Sequence, residues 1–200
     1  MNESRKPKRG RPQKLDADKT LSVAMHAYWK DDPADVSLNA VCTLADVSKP
    51  ALYRQFGGED PFVAAVLEKY AQTVLSEIFE ILQRKAPLQE TLDALIHFAT
   101  KDPKMETGCV FYKMRAGKHR LGPKSRAVVE NITSAAINAF ESYLVECRDI
   151  GALAGSQTPE LLAQYLFEQI GLALTQRAAG EDPAQIRAVL TLAFAVFRKT

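Results

Sequence analysis

Two hundred residues, 46% of them apolar and 25% charged, suffice for one substantial core, or for a small domain joined to a larger one, in the composition range of a globular protein. A net charge of +2 is too small to indicate nucleic-acid binding by itself; Cys42, Cys109 and Cys147, widely spaced and without a CxxC pair or a His at zinc-ligand spacing, argue against a disulfide framework and against any metal. No apolar run reaches bilayer length, and no hydrophobic segment follows the basic N-terminus, so the expected compartment is the cytoplasm, with no membrane partner.

Charge is unevenly spread. Arg5, Lys6, Lys8, Arg9, Arg11 and Lys14 occur in one short stretch without an acid among them. Residues 1–14 lack periodicity and are expected to form a disordered basic arm. Within it, Lys8-Arg9-Gly10-Arg11-Pro12 resembles an AT-hook core, whose flat Arg-Gly-Arg segment enters a narrow A·T-rich minor groove; a solubilising tail is the plainer alternative. A first helix is predicted from the N-cap Asp16, with Leu21, Ala24, Met25 and Tyr28 as its buried stripe, closing at Asp31-Asp32-Pro33. Trp29 is expected to pack on the small three-helix domain, stabilising its core.

Ser37 to Phe56 holds two short helices and a corner. Ser37 is a predicted N-cap for a stripe of Leu38, Val41, Cys42 and Ala45; Ser48 caps a second helix with Pro50 in its first turn and Leu52 and Phe56 facing inward. Helices separated by so few residues make a helix-turn-helix. The outer face of the second would carry Lys49, Pro50, Ala51, Tyr53, Arg54 and Gln55, which suits a major groove: Lys and Gln reach base edges, Pro and Ala thymine methyls, Tyr and Arg phosphates. The alternative is an ordinary helical hairpin with a solvated face.

The stretch VSLNAVCTLADVSKPALYRQFGGEDPF resembles the DNA-binding signature of TetR-family transcriptional regulators. The resemblance covers the first quarter to third of the chain. It departs from the family at two positions: Asp46 stands where the turn usually has Gly, and Glu59 where a phosphate-contacting Lys is usual. Asp tolerates positive φ better than most residues, at a cost of about 1 kcal/mol or less. The resemblance implies an all-α fold, double-stranded operator DNA as partner, no cofactor, no catalysis, and pairing of two copies through C-terminal helices.

Further along, Asp60 and Pro61 predict the start of one long rod to about Lys85, with Phe62, Val66, Tyr70, Val74, Ile78, Ile81 and Leu82 inside. Leu88, Leu92, Leu95, Ile96 and Ala99 mark another helix; 104–116 reads as a shorter one, 118–123 as a loop, and Val129 to Ile150 as a long helix. Thr158-Pro159 and Asp182-Pro183 open the last two, whose apolar excess is expected of a homodimer. The expected architecture is all-α: arm 1–14, helix-turn-helix domain 15–60, and ligand-binding and dimerisation domain 61–200.

In that domain a cavity for a small apolar or aromatic inducer is expected among Phe79, Phe98, Met105, Cys109, Phe111, Tyr112, Met114, Phe140 and Tyr143. Two alternatives concern Cys109. Lys104, Lys113, Arg115 and Lys118 lie near it in sequence and would lower its thiol pKa, making it a redox or electrophile sensor; and Cys109 with His119 would form the nucleophile and base of a small enzyme. The expected outcome is a repressor contacting DNA through Lys8, Arg9, Arg11, Ser37, Ser48, Lys49, Pro50, Ala51, Tyr53 and Arg54.

Overall fold

The computed structural model describes residues 15–198, and every regular element among them is helical. Local capping sets most boundaries. Asp16 accepts from Lys19 N–H to open α1 (Ala17–Lys30), Ser37 from Ala40 to open α2 (Leu38–Leu44), and Ser48 from Ala51 to open α3 (Lys49–Phe56), each satisfying an N–H that the helix leaves free. Between α2 and α3 the chain turns at Asp46, whose φ of 54° is left-handed. The position that the TetR-like pattern reserves for Gly is therefore a left-handed one here too, held by a side chain that tolerates it.

α4 (Glu59–Tyr70) begins two residues earlier than the Asp60-Pro61 signal predicts, with Gly58 as N-cap and no side-chain bond. The expected single rod is interrupted: Ala71–Leu75 is a π-turn, after which α5 (Ser76–Gln83) continues, and Lys85 closes it at φ 51°. Period counting cannot see a one-residue π insertion, because the apolar residues on both sides keep helical spacing. The predicted 104–116 helix is likewise divided into a 3-10 turn at Pro103–Met105 and α7 (Val110–Ala116), and the expected loop at 118–123 holds a further 3-10 turn, Lys118–Arg120.

The remaining helices are α6 (Leu88–Lys101), α8 (Pro123–Asp149), α9 (Pro159–Ala178) and α10 (Pro183–Ala193), with Thr158 and Asp182 as side-chain caps of the last two. One continuous core runs from Ala24, Tyr28, Val41 and Leu52 in α1–α3, through Phe62, Val66 and Tyr70 in α4, to Phe140, Phe167 and Phe197 in the C-terminal half. α4 is shared by both halves. Replacing Asp46 with Gly removes the left-handed strain and is expected to raise stability by about 0.5–1 kcal/mol in urea unfolding, whereas Asp46→Ala lowers it.

A candidate DNA-reading head tied to an apolar cavity

On the head, Lys49, Pro50, Tyr53, Arg54 and Gln55 are exposed and Ala51 is partly so, while Leu52 on the opposite face is fully buried. The Lys49 ammonium lies 5.5 Å from the centre of the Tyr53 ring, so the two form one cationic and aromatic patch. Ser37 and Ser48 each accept a helix-cap bond through Oγ, which leaves the hydroxyl hydrogen as a donor. Leu15 borders the same groove as Ser48, Pro50, Ala51 and Arg54. Lys8, Arg9 and Arg11 lie outside the described residues.

Glu59 sits exposed in the first turn of α4, where the helix dipole favours an acid. It borders a cleft with Tyr28, Val36 and Lys113. Burial, then the Glu59 charge, push the Tyr28 phenol up to about 12.

Asp60 has a different role from the expected one. Its carboxylate reaches α8: one oxygen accepts from Lys124 N–H at 2.8 Å, the other from Ser125 N–H at 2.9 Å and Ser125 Oγ at 2.6 Å. α8 has no side-chain cap of its own, so a residue sixty-odd positions away supplies it. Gly122 permits the approach, since a Cβ there would stand 2.4 Å from the Asp60 carboxyl carbon. Burial pulls the Asp60 pKa upward, but the bonds from Ser125 and Lys124 outweigh it and leave it below the ordinary carboxylate value.

Trp29 packs at the edge of the head, where it joins the body: its ring meets Tyr70 edge-on at 5.2 Å, and Nε1–H donates to the Gly108 carbonyl at 2.9 Å. Gly108 has φ 81° and lies against α9, where a Cβ would fall 2.6 Å from that of Ala178.

In the body, the π-turn, α5, α7, α8 and α9 line an almost wholly apolar, partly open cavity of about 110 Å³. Ala71, Leu75, Ile78 and Phe79 form the rod side; Phe111 and Tyr112 come from α7, Ile132, Ala135, Ala136 and Phe140 from α8, and Phe167 from α9. Of the nine residues expected around a ligand, Phe79, Phe111, Tyr112 and Phe140 meet here. The others point elsewhere: Phe98 borders a polar groove with Glu77 and His97, Met105 and Tyr143 are buried away from this cavity, Met114 lines the cleft beside Glu59, and Cys109 borders a cleft against the end of α9. The alanines of α8 and the π-turn were the missed signal, because empty space forms where side chains are small.

The surroundings of Cys109 differ from those that either alternative expects. The thiol is buried, and Tyr70 Oη, not His119, is its hydrogen-bond partner at 3.2 Å, while His119 is exposed. Burial raises its pKa; the bonds from Tyr70 and from the Tyr112 and Phe111 N–H groups, with the Lys113 charge, oppose this without overcoming it. The expected lowering by nearby cations is corrected accordingly: a buried thiol loses more by desolvation than one neighbouring ammonium returns.

Solved structures now give this arrangement its context. The chain superposes on an Agrobacterium tumefaciens transcriptional regulator of the TetR family with a TM-score of 0.80, at 16% identity over 92% of this chain and 97% of that one. The fold is that of the TetR-family regulators. Reduced NemR from E. coli (TM-score 0.77, 18% identity, 92% and 97% covered) and a cysteine-substituted CifR complexed with 26-bp double-strand operator DNA (TM-score 0.77, 20% identity, 94% and 100% covered) share it. No family model matches the sequence and no curated protein does. At these identities the TetR-family likeness establishes fold, and the head and body described above are its two parts.

The Asp60 bonds make a testable energetic claim. Asp60→Ala leaves Lys124 and Ser125 N–H uncapped and is expected to cost about 1–2 kcal/mol of stability at neutral pH. Because the folded pKa is depressed, the ionised carboxylate stabilises above the unfolded value of about 3.9, and that contribution is lost as pH falls through the folded pKa. Urea denaturation of wild type and Asp60→Asn at pH 7 and in the acid range checks this: the gap should narrow below about pH 4.

Proposed function

We propose that the chain is a homodimeric, sequence-specific DNA-binding transcriptional regulator, a repressor released from its operator by a small apolar or aromatic ligand. The observation that carries this is the head: two side-chain-capped helices around a left-handed turn, presenting Lys49, Pro50, Ala51, Tyr53 and Arg54 on one open face. Lys49, Pro50 and Ala51 contact bases; Ser37, Ser48, Tyr53 and Arg54 contact phosphate. Lys8, Arg9 and Arg11 add affinity from the arm, which joins the head at Leu15, beside α3. The boundaries 1–14, 15–60 and 61–200 divide arm, reader and body, although α4 belongs physically to both folded parts.

Support for a second copy comes from the closing helices. Leu161 and Leu172 of α9 and Val189 and Leu192 of α10 are 56%, 49%, 46% and 77% exposed, a concentration of large apolar side chains on adjacent helices. Pairing there gives two reading heads for a symmetric site. The cavity lined by Phe79, Phe111, Tyr112 and Phe140 is the ligand pocket of this reading. Expressed in cytoplasm, such a protein needs neither metal nor cofactor.

DNA fragments selected from the source genome test the reading directly. Binding should weaken steeply between 50 and 200 mM salt, by roughly 10³-fold for six phosphate contacts, and Lys49→Ala or Tyr53→Ala should each weaken it about tenfold. Salt-insensitive binding, or loss of binding only when residues 1–14 are deleted, rejects it. Leu192→Glu with Leu161→Glu is expected to shift sedimentation to the monomer and to lower operator affinity with it.

A further inference from the structure

Besides the Asp60 tie to α8, a second group of contacts between head and body gathers on one short segment. Lys113 Nζ donates to the Trp29 carbonyl at 2.8 Å and to the Asp31 carbonyl at 3.5 Å, and Thr107 Oγ1 donates to the Trp29 carbonyl at 2.9 Å. Trp29 Nε1–H returns a bond to Gly108, and Tyr70 bonds Cys109. The Trp29 carbonyl, which α1 leaves free in its last turn, and the carbonyl of its C-cap Asp31 are therefore bonded from residues 107–113, and the Lys113 ammonium stands at the negative end of the α1 dipole.

The same segment is a wall of the apolar cavity. Phe111 and Tyr112 line it, and Lys113, the next residue of α7, turns the other way to grip α1. α7 has seven residues and no side-chain N-cap, against 27 in α8 and 20 in α9, so it is the cavity wall with the least helix to hold it. A space of about 110 Å³ accepts little more than a single ring before a wall must yield.

We infer that Lys113 is a positioning residue: filling the cavity displaces Phe111 and Tyr112, α7 moves as a unit, and Lys113 releases the end of α1, so the signal reaches the head through α1 as well as through the rod. The inference rests on the ligand-responsive reading for its purpose, but its physical content is a coupling between cavity and α1 that can be measured without DNA.

Trp29 is the only tryptophan in the chain, so its emission reports on this joint. The full chain is compared with Ala136→Leu, which fills the cavity from α8, and with wild type in toluene-saturated buffer; Ala136→Val keeps the measurement if the leucine prevents folding. Filling by either route should red-shift Trp29 and speed amide exchange at Lys30 and Asp31 roughly two- to fivefold, the range expected for loss of a helix-end charge interaction. Lys113→Met alone should give the same increase, and adding Ala136→Leu to it should add nothing. Unchanged exchange in the filled proteins overturns the inference, and so does an equal increment with and without Lys113, which would assign the coupling to the rod. Failure to bind operator DNA while the exchange result holds would reject the regulatory reading alone.

Discussion

The reading head keeps its shape because α4 completes its core. Three helices of 14, 7 and 8 residues bury too little apolar surface to be secure alone. Phe62, Val66 and Tyr70 supply the missing wall, and Phe62 meets Phe56 of α3 edge-on at 5.0 Å, which fixes the end of α3 against the start of the rod. Any tilt of α4 therefore moves α3. A packed interface of this kind transmits displacement because it cannot deform continuously.

Two polar ties limit that tilt. Asp60 binds the first turn of α4 to the first turn of α8, and Lys113 with Thr107 binds the last turn of α1 to the start of α7. Both satisfy helix-end groups that are otherwise free, so each is cheap to make and local in effect. Both also land on helices that line the apolar cavity. The head is held at three points, all continuous with the wall of a single space in the body.

Features governed by neighbours in sequence were legible before the structure. The caps at Asp16, Ser37, Ser48, Thr158 and Asp182 stand where the Ser, Thr and Asp signals put them, because capping is a three-residue affair. The left-handed turn at Asp46 was legible from the TetR-family resemblance, which has Gly at that position. Asp60 misled, since its position before Pro61 mimics a local cap while its carboxylate serves a helix far along the chain. The bond from Trp29 to Gly108 was not legible, because an aromatic at the end of an amphipathic helix has no local mark of what else it meets. For the cavity, periodicity identified buried faces but not which faces meet. It found Phe79, Phe111, Tyr112 and Phe140 and missed Ala71, Ala135 and Ala136, whose contribution is the absence of volume. Cys109 shows the hazard of counting charges in sequence, because burial decides the thiol's state.

The central claim is that two copies of α3 read DNA as a symmetric pair. Hydroxyl-radical footprinting of the full chain on a genomic fragment that it selects tests this most directly. The account predicts two protected segments related by two-fold sequence symmetry and centred one or more helical turns apart, about 10 bp per turn, with both lost together in Tyr53→Ala. A single protected segment without symmetry, or a footprint that Tyr53→Ala leaves intact, would contradict it.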